Sequence, residues 1–281
     1  MFERISRGIE LTRQSWNVLR EEKTLLVFPF LSGMACLMIL ATFAVPLWLT
    51  GYAEGILDDG QVRQDPVAYA LLFLFYFVNY FVVVFFNAAM ISCAIIRFKG
   101  QDATLGDGVS AAMHRLPQIA AWAAVSATVG LILKAIESRS ERLGQIAANL
   151  LGAGWAIATY FVVPVLVVEG VGPIDAVKRS FSILRKTWGE ALTARFGIGF
   201  VVMLAIFASM IPAFLGFVSG NGAAIVAGIA VSAVLVLTVS LISSALNAIV
   251  LAAMYLYAAE GRAPAQFDEA LLASAYAPKK A

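Results

Sequence analysis

FGIGFVVMLAIFASMIPAFLGFVSGNGAAIVAGIAVSAVLVLTVSLISSALNAIVLAAMYLYAA, from Phe196 to Ala259, runs sixty-four residues without one Asp, Glu, Lys or Arg. A helix needs about 20 apolar residues to cross a hydrocarbon core ~30 Å thick, so this stretch supplies two crossings. Their turn falls at Gly216-Phe-Val-Ser-Gly-Asn-Gly222, where glycines and Asn221 break the helical pattern. The rest of the chain repeats that hairpin.

Working outward, four more uncharged runs precede it. Thr24 to Ala53 carries Pro29 and Pro46, and Pro66 to Ile96 follows. Leu116 to Leu133 is alanine-rich, and Leu143 to Val168 closes the set. Backbone groups in hydrocarbon must find partners within the protein, so continuous runs of this length predict helices. A β-barrel would instead need short alternating segments with polar lumen faces. The expected fold is an all-α polytopic membrane protein of six transmembrane helices.

Composition agrees. Of 281 residues, 61% are hydrophobic and 14% charged, against about 25% charged in soluble chains. A net charge of +2 without a basic, aromatic-interleaved patch argues against nucleic acid. Cys36 and Cys93 fall inside apolar runs without metal-site spacing and read as small buried hydrophobes. The charged first twenty-three residues precede a full-length apolar run, so an uncleaved N-terminus is expected.

Charge position predicts orientation. Arg4, Arg7, Arg13, Arg20 and Lys23 precede span one, and Arg97, Lys99 and Arg115 lie between spans two and three. Lys178, Arg179, Arg185, Lys186 and Arg195 lie between four and five, and Arg262, Lys279 and Lys280 follow six. Those segments hold sixteen of the twenty cations. Both termini are therefore expected in the cytoplasm, and the protein in a cytoplasmic (inner) membrane.

The same segments resemble one another. With Trp16 aligned on Trp188, Ile5 meets Val177, Arg7 meets Arg179, Ile9 meets Phe181, Leu11 meets Ile183 and Arg13 meets Arg185. Ile5, Ile9, Thr12 and Trp16 share one helical stripe, as do Val177, Phe181, Leu184 and Trp188. These read as amphipathic helices in the interface, each leading into an odd-numbered span. A fainter third copy places Val109, Met113, Leu116 and Ala120 on such a stripe. Even spans end alike at Lys99-Gly100, Glu169-Gly170 and Glu260-Gly261, each followed by an Asp: Asp107, Asp175 and Asp268. Glycine suits the position after a helix and aspartate the position before one. The chain reads as one transmembrane domain over residues 1–281. Three units of interfacial helix plus hairpin, about 1–100, 101–170 and 171–261, precede a short cytoplasmic tail, 262–281. Units with even numbers of crossings can be related by an axis along the membrane normal, which predicts a pseudo-threefold bundle.

Spans ending in glycine, then Asp175-Ala-Val-Lys-Arg-Ser-Phe-Ser-Ile-Leu-Arg185, then another span, resemble the uncharacterised bacterial six-span membrane families with elbow helices. The membrane domain fused to some glycerophosphodiester phosphodiesterases is similar. The resemblance implies a multi-pass cytoplasmic-membrane protein and no agreed activity.

Residues that could carry chemistry are few. Asn79 and Asn87 lie in span two and Asn247 in span six. Intramembrane polar groups are suspects for a substrate path, and the plainer account is an interhelical hydrogen bond of about 0.6 kcal/mol. Lys134 and Glu137 can snorkel to the interface. His114, the single histidine, has no paired Cys, Asp or Glu for a zinc site. No G-x-S-x-G elbow surrounds a serine, and Gly170-Val-Gly-Pro173 lacks the Lys-Ser/Thr of a phosphate loop. No enzyme, cofactor or metal is expected. The leading functional reading is a non-enzymatic scaffold organising lipids or partner proteins through cytoplasmic amphipathic helices. Arg7, Arg13, Trp16, Arg179, Arg185, Lys186 and Trp188 would make the headgroup or partner contacts. Its partners would be membrane lipids and another membrane or cytoplasmic protein. The alternative is a small transporter, channel or lipid-translocating protein with a path along the bundle axis, lined by Asn79, Asn87 and Asn247.

Overall fold

The computed structural model describes residues 2–49, 57–58, 61–62, 66–137, 143–186, 191–261, 263–269 and 272; side chains are described for 9–49, 66–137, 145–185, 199–261, 263–269 and 272. The fold is all-α. Its helices are α1 (Phe2–Glu21), α2 (Val27–Leu49), α3 (Pro66–Phe98), α4 (Leu105–His114), α5 (Leu116–Glu137), α6 (Leu143–Ala158), α7 (Val162–Glu169), α8 (Pro173–Lys186), α9 (Ala191–Ser209), α10 (Ile211–Val218) and α11 (Gly222–Glu260). A 3-10 turn, Lys23–Leu26, leads into α2. Leu57–Asp58 and Gln61–Val62 pair as a minimal antiparallel ladder, Leu57 opposite Val62. The sequence between them, Asp59-Gly60, is a pair that favours two-residue hairpins.

Six segments are long and apolar enough to cross a membrane: Lys23–Leu49, Pro66–Phe98, Leu116–Glu137, Gln145–Glu169, Gly199–Val218 and Gly222–Glu260. These are the six runs read from the sequence. The even-numbered spans end on glycines in the left-handed region, Gly100 (φ 79°), Gly170 (φ 67°) and Gly261 (φ 70°). That backbone region is costly for any residue carrying a Cβ, which explains why glycine recurs at all three ends.

The chain divides into two compact units. The first comprises Met1–Pro29, Cys93–Thr104 and Arg185–Ala281. Within it α1 packs on α9 and α11, and α10 packs on α11. On α1 the packed face is Leu11, Ser15, Val18 and Leu19, all buried, spaced as one helical side. The stripe read from the sequence lies on the other side, with Ile9 and Trp16 exposed. The segment after α11 is not a free tail over its described part. Phe267 is buried and packs edge-on against Phe98 at 5.7 Å, and the Asp268 N–H donates to Gln14 Oε1 at 3.2 Å. Arg97 bonds Glu21 at 3.0 Å and Asp102 at 2.8 Å, which fastens the end of α3 to α1.

Helix α11 has 39 residues, about 58 Å at 1.5 Å per residue, nearly twice the hydrocarbon thickness. Burial divides it. Ala245, Leu246, Ala248, Ile249, Val250 and Ala252 to Leu256 are buried. From Gly222 to Ser244, about 35 Å, the surface is mostly exposed and apolar, with Val226 at 69%, Val234 at 62% and Leu237 at 63% exposure. A length matching the bilayer, covered with exposed hydrophobes, is what acyl chains would coat. A similar switch occurs in α3, where Ala88 to Ile95 are buried.

The α10–α11 hairpin closes through glycine. A Cβ on Gly228 would strike the Pro212 carbonyl oxygen, and one on Gly216 would lie 2.6 Å from that of Ala224. Asn221 caps α11, its side chain accepting from the Ala223 N–H at 2.9 Å.

The second unit comprises Phe30–Ser92 and Leu105–Leu184. Along α3 the rings of Phe73, Phe77, Phe81 and Phe85 follow one another at 6.2, 6.4 and 6.2 Å, one turn apart on a single side. Trp122 of α5 stacks on Trp155 of α6 at 5.6 Å, and Ile119, Trp122, Ala123 and Ala127 are buried. The pseudo-threefold relation expected from the sequence would run across the two units.

Replacing Gly228 with Ala should lower thermal stability in detergent by about 1–3 kcal/mol, the usual cost of overpacking. Gly154→Ala, with nothing within 4 Å of the added methyl, should leave the midpoint unchanged or raised. Equal midpoints for the two variants would contradict the close hairpin.

Candidate functional site

Pro164 and Pro212 each stand just past a break in a span, whereas Pro46 sits inside the continuous α2. A proline in a helix lacks an N–H and crowds the carbonyl four residues back, so the preceding turn loosens. In span four the break is Thr159-Tyr160-Phe161, between α6 and α7. Tyr160 N–H turns to Ile157 O at 3.2 Å and Val162 N–H to Thr159 O at 3.0 Å. Helical geometry would have paired Phe161 N–H with Ile157 O and Val162 N–H with Ala158 O. Two backbone groups are thereby displaced, the Phe161 N–H and the Ala158 C=O.

One hydroxyl takes both. Ser180 Oγ, on α8, accepts from the Phe161 N–H at 3.0 Å and donates to Ala158 O at 2.8 Å. Ser180 is fully buried, on a face shared with buried Ala176, Ile183 and Leu184. A second bond from the same helix reaches the end of the same span, where Arg179 Nε donates to Glu169 Oε1 at 3.0 Å. At that end the Arg115 Nε donates to Val167 O at 3.1 Å. Gln118 Nε2 donates to Gly170 O at 3.4 Å. Cations and donors at a helix C-terminus satisfy carbonyls that the helix leaves over. Helix α8, between spans four and five, is therefore bolted to span four at its break and at its end.

Span five repeats the device inside the other unit. Helices α9 and α10 are separated at Met210, and the Ala213 N–H donates to Ser232 Oγ of α11 at 2.9 Å. The sequence does not mark Ser180, whereas Ser232 shares small-xxx-small spacing with Gly228, which reads as close helix packing. A proline within a span signals a displaced donor or acceptor, and a hydroxyl on a buried face is the group to seek.

The residues read from the sequence are distributed as follows. Asn79 is half-buried and donates to Phe75 O at 2.9 Å within its own helix. Asn87 is half-buried, and no hydrogen bond to its side chain is found among the described residues. Asn247 is exposed and donates to Ser243 O at 2.8 Å and Ser243 Oγ at 3.3 Å. Asn79 and Asn87 belong to one unit and Asn247 to the other. Arg13, Trp16 and Arg185 are exposed, while Arg179 is committed to Glu169. Trp188 lies outside the described residues, as do the side chains of Arg7 and Lys186. No group of three or more His, Cys, Asp or Glu side chains suited to a metal ion occurs among the described residues.

A family model described as "Family of unknown function (DUF6159)" matches residues 66–265. The chain belongs to the DUF6159 family. No curated protein matches it, and no solved structure does. The DUF6159 match takes in α3 to α11, with both span breaks and their serines, and carries no link to phosphodiesterase fusions.

Ser180→Ala should lower unfolding stability in detergent by about 2–6 kcal/mol, because two buried backbone groups lose their partner at about 1–3 kcal/mol each. Ser182→Ala, an exposed neighbour on the same helix, should stay within about 0.5 kcal/mol of the parent. Matching losses would show that Ser180 closes nothing.

Proposed function

We propose that this DUF6159 protein is a non-enzymatic scaffold of the cytoplasmic membrane, with both termini in the cytoplasm. Its amphipathic helices would organise lipids or partner proteins. One observation carries the reading: α8 is fastened to span four by Ser180 while Ile174 and Phe181 stay exposed on another side of the helix. A helix held rigidly by one face presents the other in a fixed position, as a docking element must. The burial pattern of α4 favours descent of such helices from a common unit. Ala112 and Ser180 are both buried, each four residues after a small buried residue, Gly108 and Ala176, and Met113 and Phe181 are both exposed. The resemblance to the membrane domain joined to glycerophosphodiester phosphodiesterases supports lipids as the neighbourhood.

The test is recovery of lipids and proteins with the gently purified full chain. Arg185→Glu with Lys186→Glu reverses two cations, each contributing about 1 kcal/mol near an anionic leaflet. Recovery of the specific companion should fall at least about tenfold while the spans still insert. Unchanged recovery would overturn the scaffold. A reconstituted flux abolished by Asn87→Leu and Asn247→Leu would replace it with translocation, the reading that the two broken spans favour.

A further inference from the structure

Helices α1 and α8 carry the same exposed stripe in a register that the Trp16–Trp188 alignment does not show. In α1 it is Ile9, Arg13, Trp16 and Arg20; in α8 it is Ile174, Lys178, Phe181 and Arg185. Both sets fall at i, i+4, i+7 and i+11, one side of a helix. The order is the same: aliphatic, cation, aromatic, arginine. All eight residues are exposed. Ile9 is 46% and Trp16 37% accessible, Ile174 69% and Phe181 49%. The cations are not absorbed by the fold. Arg13 approaches Glu10 at 3.9 Å and Lys178 approaches Asp175 at 3.2 Å, with side chains 75% and 73% exposed, and such pairs contribute little. The Arg20 guanidinium lies 6.0 Å from the Trp16 ring centre.

Each helix also stands directly before a span: α1 ends at Glu21 and α2 starts at Val27, α8 ends at Lys186 and α9 starts at Ala191. Exposed hydrophobes alternating with cations at that position match a layer of acyl chain ends under negative headgroups. Helix α4 is the internal contrast. Leu105 and Met113 are exposed on it, yet its sequence, Leu105 to His114, contains no Lys or Arg.

From this we infer that α1 and α8 each form a recognition surface for anionic phospholipid, with cations on the headgroup phosphate and Ile9, Trp16, Ile174 and Phe181 among the upper acyl carbons. Helix α4 meets the same layer without selecting charge. The inference rests on the scaffold reading for its setting and names the lipid class.

The test adds phosphatidylglycerol or phosphatidylcholine to the purified full chain and counts retained lipid by native mass spectrometry. The parent should retain phosphatidylglycerol in preference. Arg13→Gln with Arg20→Gln, and separately Lys178→Gln with Arg185→Gln, should each weaken that retention about tenfold or more. Lys99→Gln, an exposed cation outside both stripes, should leave it unchanged. A second measurement uses the tryptophan emission that Trp16→Phe removes. Lipids brominated near the headgroup should quench it, and aqueous iodide should not. Equal retention of both lipids, or iodide quenching of Trp16, overturns headgroup recognition. A scaffold acting through proteins would survive that result, since companion recovery would still depend on Arg185 and Lys186.

Discussion

Peptide N–H and C=O groups in hydrocarbon have no water to turn to, and each one left unpaired costs several kcal/mol. Every span in this chain must therefore close its own backbone bonds or borrow a partner. Proline forces the borrowing at two places. Span four loosens before Pro164 and span five around Pro212; Ser180 takes up two displaced backbone groups at the first break, and Ser232 accepts one backbone N–H at the second. The consequence extends beyond local repair. Because Ser180 belongs to α8, the helix between spans four and five is positioned by the backbone defect of a span. Because Ser232 belongs to α11, the last hairpin is keyed by the break in span five and by the glycine at 228 that allows the approach.

Burial adds the second constraint. The longest described helix exceeds the bilayer, and its later stretch, Ala245 to Leu256, is largely enclosed by protein while its first part is coated with exposed hydrophobes. Uncharged sequence therefore marks two different environments on one helix, acyl chains first and packed protein afterwards. The glycine-capped ends of spans two and six belong to the first unit, where Arg97, Glu21, Gln14 and the Phe267 segment join.

The six spans were legible because charge exclusion over some twenty residues has almost no other physical cause. Their glycine ends were legible for a similar reason, since a left-handed residue selects its own side chain. Packing faces were harder. Ile9, Thr12 and Trp16 form an apolar stripe that hydrophobicity alone assigns to the amphipathic face, whereas Leu11, Ser15, Val18 and Leu19 are the residues that pack. A helix between protein and membrane has two apolar sides, and sequence periodicity does not say which neighbour each one meets. The hydrogen-bonding roles of Ser180 and Ser232 were hidden for another reason. Their role depends on a backbone defect in a different helix, far away in the sequence from either serine. Asn79 and Asn247 drew attention by polarity, yet both bond within their own helix.

The central claim is that the exposed outer surface of α11 is immersed in acyl chains while its later part is enclosed by protein. Nitroxide labels placed singly at Val226, Val234, Leu237 and Ile249 of the chain in lipid nanodiscs would test it. The labels at Val226, Val234 and Leu237 should be relaxed strongly by oxygen, which concentrates in hydrocarbon, and weakly by a water-soluble nickel complex. The label at Ile249 should respond to neither. Free collision of the nickel complex with Val234 would contradict the account.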